Sequence, residues 1–318
     1  MKKKLLICIN IIFIILIIGL YFIGDYFVEY ALGRKPIDDN DPLAPSHIVS
    51  ELEYNNTIRA KELSNQWLDI VSEEIVSIES FDNLNLNSML VKQPKYTNNW
   101  AIIVHGYTSN HQAMHDVSYQ FYLNGYNILS PDLRAHGTSE GQYMTMGYYD
   151  AIDIVDWCDM IIKEDSNAKI VLYGISMGGA TVMTAAGDKH LPDNVFAIIE
   201  DCGYTNAYDM MVSQLKFRFN LGEFPIIPVA NIIGEQKARF NLKDASPISA
   251  LENSDLPILF IHGDIDTYVP YEMLDILYES YDYDKEKYIV KGAEHGVARH
   301  IEPEKYYNTI FNFIDKYY

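Results

Sequence analysis

A serine flanked by glycines, Gly174-Ile175-Ser176-Met177-Gly178, follows a β-branched run at 170–173 and opens a helix-length stretch of small residues. Strand, sharp turn and helix in that order lift a serine hydroxyl into the open above a sheet, where it can attack a carbonyl. Gly174 and Gly178 allow the tight turn, and Gly179 and Ala180 let the helix approach the strand closely. A serine hydroxyl is a weak nucleophile until a base takes its proton. Of the nine histidines, His295 in Gly292-Ala293-Glu294-His295-Gly296 falls between the last strand and the last helix, on the same sheet edge as Ser176. His105 and His262 each end a strand in a His-Gly pair and read as turn-shaping, and His136 reads as part of a structural loop. A carboxylate must orient the imidazole and stabilise its charged form. The loop Gly263-Asp264-Ile265-Asp266-Thr267-Tyr268-Val269-Pro270 favours Asp266, at its apex; Asp264, just after the turn, suits bonds to nearby backbone N–H groups. Asp201, after the preceding strand, is the runner-up acid. Two backbone N–H groups suit an oxyanion: that of Met177, at a helix N-terminus, and that of Tyr107, in the loop after the run at 101–104.

Strands with buried-looking, unalternated sequence are expected at 101–104, 126–130, 170–173, 196–199, 258–261 and 288–290. Two alternating segments, 74–79 and 84–91, read as half-exposed antiparallel strands ahead of them. Helix-length segments at 111–123, 148–162, 176–186, 271–281 and 302–315 separate the strands. Repeated strand–helix–strand order predicts a mostly parallel, eight-stranded α/β sheet with helices on both faces. Chemistry in such a sheet gathers at the carboxyl ends of its strands. The stretch 204–251 carries helical pattern without a strand, so it is expected to form a small helical cap inserted into the main domain.

Composition narrows the function classes. The chain has 318 residues and a net charge of −20, from 24 basic and 44 acidic residues. Such a surface repels phosphate backbones, which argues against nucleic acid as a partner. Cys8, Cys158 and Cys202 are too scattered for a disulfide framework or a zinc site, and no C-x-x-C occurs. After Lys2, Lys3 and Lys4 comes a mostly apolar run, 5–23, whose nineteen residues span roughly 28 Å as a helix, about one hydrocarbon core. It reads as one transmembrane helix, an uncleaved single-pass anchor in the cell membrane with the lysines in the cytoplasm and the catalytic body outside. A cleaved signal, making the protein secreted, is the alternative. Beyond residues 1–28, which hold Lys2, Lys3, Lys4 and Asp25, 21 basic and 43 acidic residues leave a net charge of −22. The expected domains are 1–28 for the anchor, 29–73 for a connector and membrane-proximal helix, and 74–318 for the catalytic body. The connector holds a turn-rich spacer (Pro36, Asp38, Asp39, Asn40, Asp41, Pro42, Pro45) and a helix at 56–71 with Ile58, Leu63, Trp67 and Ile70 near helical spacing. Nothing in 74–318 is expected to need the anchor for folding.

Taken together the motifs resemble an α/β-hydrolase of the branch that includes serine-aminopeptidase-like and monoacylglycerol-lipase-like enzymes. They are His105-Gly106-Tyr107; Asp132-x-Arg134-x-His136-Gly137-x-Ser139; Gly174-x-Ser176-Met177-Gly178-Gly179; His262-Gly263-Asp264-x-Asp266-x-x-Val269-Pro270; and Glu294-His295-Gly296. The resemblance covers about 74–318 and implies a triad of Ser176, Asp266 and His295, oxyanion donors at Tyr107 and Met177, and a cap between the sixth and seventh strands. The N-terminal anchor is absent from many relatives. The expected reaction is cleavage of a carboxylic-ester-like bond of a small-molecule acyl substrate, through an acyl-enzyme and without metal or organic cofactor. Small or medium acyl groups are preferred; aminopeptidase-like and thioesterase activities are alternatives, and a non-catalytic membrane-tethered binding protein is the rival from another class. Phe217, Phe219, Leu221, Phe224, Pro225, Ile226 and Ile227 of the cap either line an acyl pocket or pack the cap onto the core.

Overall fold

A computed structural model describes residues 2–35 and 50–318. The proline- and aspartate-rich spacer lies outside the described residues. Eight strands form one sheet: β1 (Glu73–Glu79), β2 (Asn85–Val91), β3 (Asn99–Val104), β4 (Asn127–Pro131), β5 (Lys169–Ile175), β6 (Val195–Asp201), β7 (Ile258–Gly263) and β8 (Lys285–Val290). Their spatial order is β1-β2-β4-β3-β5-β6-β7-β8. The hairpin β1–β2 and the β2–β4 pair are antiparallel, and every later pair is parallel. Each expected strand is present.

The helices are α1 (Lys2–Ala31), α2 (Glu51–Leu68), α3 (His115–Leu123), α4 (Tyr148–Glu164), α5 (Met177–Ala186), α6 (Ala207–Phe219), α7 (Ile226–Ala238), α8 (Pro247–Leu251), α9 (Glu272–Ser280), α10 (Ala298–Ile301) and α11 (Pro303–Tyr317). Successive residues of a strand face opposite sides, which explains the unalternated central strands: both sides are covered. On β3, Trp100, Ile102 and Val104 face the layer that also holds Ile154 and Trp157 of α4 and Leu274 of α9. Ala101 and Ile103 face the other layer, against Val117 and Phe121 of α3 and Ile310 and Phe313 of α11. The cap is α6, α7 and α8, between β6 and β7.

Two N-terminal expectations change. The helix expected at 56–71 starts earlier, because Ser50 caps it by accepting from the backbone N–H of Glu53 (3.1 Å). Of its apolar residues Trp67 alone is fully buried, against Tyr119 and Tyr122 of α3, while Ile70 is 83% exposed. The second change concerns α1, which among the described residues is the one helix long and apolar enough to cross a membrane. Its apolar run ends at Ile23, but the helix does not, and the boundary expected after residue 28 falls inside it. Gly24, Val28 and Leu32, one helical turn apart, are buried. They face Val229, Ile233 and Gly234 of α7. The Lys237 ammonium pairs with Asp25 and with Glu29 (2.6 Å). Just beyond, the Arg34 guanidinium donates to the carbonyls of Gly137 (2.8 Å) and Ser139 (2.7 Å). The loss of hydrophobicity after Ile23 therefore marks a change of environment from bare apolar surface to protein contact, while the helix continues.

Candidate active site

The turn after β5 is forced by backbone proximity. A Cβ at Gly174 would lie 2.1 Å from the Gly178 carbonyl oxygen, and one at Gly178 would lie 2.2 Å from the Val104 carbonyl oxygen. Between them Ser176 takes φ 57°, ψ −117°, a conformation that a non-glycine residue holds only when its surroundings impose it. Its N–H donates to the Asp201 carbonyl (2.7 Å), tying the turn to the neighbouring strand β6.

His295, from the loop after β8, and Asp266, from the loop after β7, complete a line. Nδ1–H of His295 donates to Asp266 Oδ2 (2.7 Å), which leaves Nε2 to accept from Ser176 Oγ (2.8 Å). Asp266 Oδ1 accepts the backbone N–H groups of Tyr268 (2.9 Å) and Val269 (3.0 Å). His262 approaches Oδ2 at 3.2 Å. Burial pushes the Asp266 carboxyl up, but His295 and His262 outweigh it and hold the group at about 2. It is a carboxylate at any physiological pH.

The other candidates stand elsewhere. Asp264 is exposed and accepts the Gly292 N–H (2.6 Å), latching its loop to the turn before His295. Asp201 is buried and accepts from the Tyr306 hydroxyl (2.7 Å). Cys202 lies against Asp266 and His295.

Tyr107 and Met177 flank the serine from two directions. A Cβ on Gly106 would sit 3.3 Å from the Ser176 Cβ, so the loop after β3 passes directly beside the hydroxyl. Met177 is the first residue of α5, whose unpaired N–H groups favour negative charge. The loop at 105–108 is braced from behind. His105 accepts the Leu133 N–H (3.0 Å) and donates to the Gly106 carbonyl (2.7 Å); burial, with His136 beside it, lowers its pKa to about 3. His136 accepts the Thr108 N–H (3.2 Å) and donates to the Arg134 carbonyl (2.9 Å). Asp132 accepts from the backbone and ring of His111 and from Thr138, while Arg134 makes a two-pronged pair with buried Asp153. The Asp132-to-Ser139 motif is thus scaffold for the loop beside the serine.

An apolar cavity opens at Ser176, with about 850 Å³ of atom-free space including its mouth. Met146, Tyr204, Met210, Leu215, Leu242 and Tyr268 contribute to its wall. Of the cap residues singled out above, Phe219 and Ile227 line it, while Phe217, Leu221 and Phe224 are exposed. Phe27, Tyr30 and Ala31 of α1 line it too, and the Tyr107 hydroxyl donates to the Ala31 carbonyl (2.8 Å). Their i, i+3, i+4 spacing is the one sequence signal for this wall, and the end of the apolar run next to it hid it.

The strand order, cap position and turn geometry are those of one known architecture. The chain is an α/β-hydrolase by fold. Residues 97–216 match the family model of the serine aminopeptidases, S33. The uncharacterized protein YqkD of Bacillus subtilis (strain 168) is 28% identical over 225 residues, 70% of this chain and 73% of its own. The Pyrococcus furiosus esterase Pf2001 superposes with a TM-score of 0.65 at 21% identity, over 81% of this chain and 93% of that one. The Pyrococcus horikoshii acylaminoacyl peptidase gives 0.60 at 19% identity, over 81% of this α/β-hydrolase chain and 43% of its own longer chain.

Proposed function

We propose that this protein is a serine hydrolase of carboxylic esters with an apolar acyl group, held in the cell membrane by α1 with its catalytic body outside the cytoplasm. The observation that carries the reading is the unbroken line Asp266–His295–Ser176, with contacts of 2.7 and 2.8 Å, at the floor of an apolar cavity.

His295 takes the Ser176 proton as Oγ attacks the ester carbonyl, and Asp266 stabilises the imidazolium that forms. The oxyanion is met by the N–H groups of Met177 and Tyr107. His295 then returns the proton to the leaving alkoxide, giving the alcohol and an acyl-Ser176 ester. In the second half His295 deprotonates a water that attacks the acyl carbonyl, and Ser176 leaves with the proton as the carboxylic acid is released.

The family match and the acylaminoacyl peptidase likeness keep an aminopeptidase in view as the second reading. The cavity wall favours the ester. Recognition of a free α-ammonium calls for a carboxylate near the scissile bond, and among the described residues lining the cavity the one charged side chain is Arg218.

The test is labelling of the full chain by a fluorophosphonate. Wild type is expected to be labelled and to hydrolyse p-nitrophenyl butyrate, and Ser176→Ala to do neither while keeping its melting temperature. Activity of Ser176→Ala within tenfold of wild type would remove the serine from the mechanism.

A further inference from the structure

α1 belongs to the cavity wall and to the membrane span at once, and its geometry fixes how far apart those two roles are. The apolar run stops at Ile23. One residue later a Cβ on Gly24 would sit 2.7 Å from Val229 and 2.8 Å from Ile233, so α7 touches α1 where the run ends. At 1.5 Å per residue, Phe27 lies about 6 Å and Ala31 about 12 Å beyond Ile23 along the helix axis. A bilayer's headgroup layer is about 5–8 Å thick on each side. The cavity wall made by Phe27, Tyr30 and Ala31 therefore begins within the headgroup layer and ends just above it.

The cap packs on α1 just beyond the apolar run. Val229 and Ile233 of α7 meet Gly24, Gly234 faces Val28 and Leu32, and Lys237 pairs with Asp25 and Glu29. The loop 220–225 joins Phe219, whose ring packs on Phe27 and Tyr30, to the helix that meets Gly24, so it lies beside the first turns of α1 past Ile23. It and the last turn of α6 carry exposed apolar side chains. Phe224 is 83% exposed, Phe217 58% and Leu221 41%. Apolar groups at that level meet acyl chains and headgroups instead of water. Charge agrees: in 204–251 five basic residues (Lys216, Arg218, Lys237, Arg239, Lys243) meet four acidic ones (Asp209, Glu223, Glu235, Asp244), on a chain of net charge −20. The acidity that would hold the body away from an anionic leaflet is missing from the cap, which α1 brings to it.

We infer that the end of α1 is a wall of the acyl pocket and that the protein draws its substrate, an acyl ester dissolved in the leaflet, directly from the membrane, with the cap segment 217–224 resting in the headgroup layer. This rests on the ester-hydrolase reading above. The acyl chain moves along the α1–α6 side of the cavity, past Phe27, Tyr30 and Phe219, and its carbonyl reaches Ser176 without the chain crossing water. The Tyr107–Ala31 hydrogen bond links the same helix to the loop that faces the oxyanion.

The test uses the full chain in phosphatidylcholine vesicles, with soluble p-nitrophenyl butyrate compared against a long-chain monoacyl ester dissolved in the same vesicles. Inserting seven polar, helix-forming residues after Ile23 lifts the body by about 10 Å and leaves every pocket residue in place. Hydrolysis of the vesicle-borne ester is expected to fall at least tenfold, with butyrate hydrolysis within twofold of wild type. Unchanged hydrolysis of both esters would overturn capture from the leaflet. Should the insertion depress both activities together, Phe224→Glu decides: it is expected to lower the vesicle-borne rate alone by about fivefold, and no effect would overturn the proposal. Ala31→Trp narrows the wall and is expected to shift acyl preference from octanoate toward butyrate; an unchanged preference would take α1 out of the pocket. Wild type inert toward both esters and toward the fluorophosphonate would overturn the hydrolase reading itself.

Discussion

Two backbone N–H groups and two imidazoles converge on the Asp266 carboxylate, whereas Asp264, two residues earlier, holds a single backbone N–H. Asp266→Asn must turn an amide N–H toward either those backbone donors or Nδ1–H of His295, and kcat is expected to fall by on the order of 10⁴ as the wrong tautomer is favoured. Asp264→Asn is expected to keep kcat within about threefold and to lower Tm by about 2 °C, since one exposed hydrogen bond contributes about 1 kcal/mol or less. Steady-state kinetics and thermal melts on both variants check the pair. These residues were legible because each member of the proposed triad sits in a short motif directly after a strand. Glu200 was not. Beside Asp201 at a strand end it reads as one of two ordinary acids, yet it is fully buried, with Oε2 accepting the Gly203 N–H (2.9 Å). Burial, only partly offset by nearby His262, raises its pKa to about 8. A carboxyl raised in the folded state favours folding most at pH values below its unfolded pKa of about 4.3, and that advantage is lost as pH climbs toward 8. Glu200→Gln removes this titration. Its Tm should approach that of wild type at pH 5 and exceed it by about 5 °C at pH 9, measured by calorimetry.

The helix α2 shows what pattern reading can and cannot reach at the level of an element. Helical spacing picked out Trp67 and Ile70 alike, but spacing alone does not say which face meets another element. The structure places Trp67 against α3, and Asn56 donates to the His300 carbonyl (2.8 Å), so α2 braces α10 just after His295. Trp67→Ala is expected to cost roughly 3–5 kcal/mol and to lower Tm by about 10 °C, with butyrate hydrolysis at 20 °C within about threefold of wild type. A melt and an esterase assay on the same sample check it. The strands were legible for the opposite reason. A chain segment covered on both sides must be apolar throughout, and runs such as those of β3, β5 and β7 permit few other placements. Helix α1 was legible as a long apolar helix and illegible as a cavity wall, because its last turns carry Asp25 and Glu29, which look like the start of a solvated connector. Those acids instead meet Lys237, some two hundred residues downstream in a cap whose fold could not be read locally.

At the scale of the whole molecule, the proposed anchor, held by apolar burial, and a strongly acidic body predict a clear fractionation pattern. The full chain is expected in the membrane fraction and to resist carbonate and high salt, and protease added to spheroplasts is expected to cut the body. Full-length protein in the soluble fraction would refute the span, and a mature N-terminus near Gly33 would convert it to a cleaved signal. Such cleavage would also remove Val28 and Leu32 from the core and Ala31 from beneath the Tyr107 hydroxyl. The seam between α1 and α7 carries a timing as well. Gly24–Leu32 leaves the ribosome early, while the helix it packs on is some two hundred residues behind, about 10–40 s at ordinary synthesis rates. Through that interval α1 waits with a bare flank, and the chain closes on its own beginning only after most of the sheet has been made.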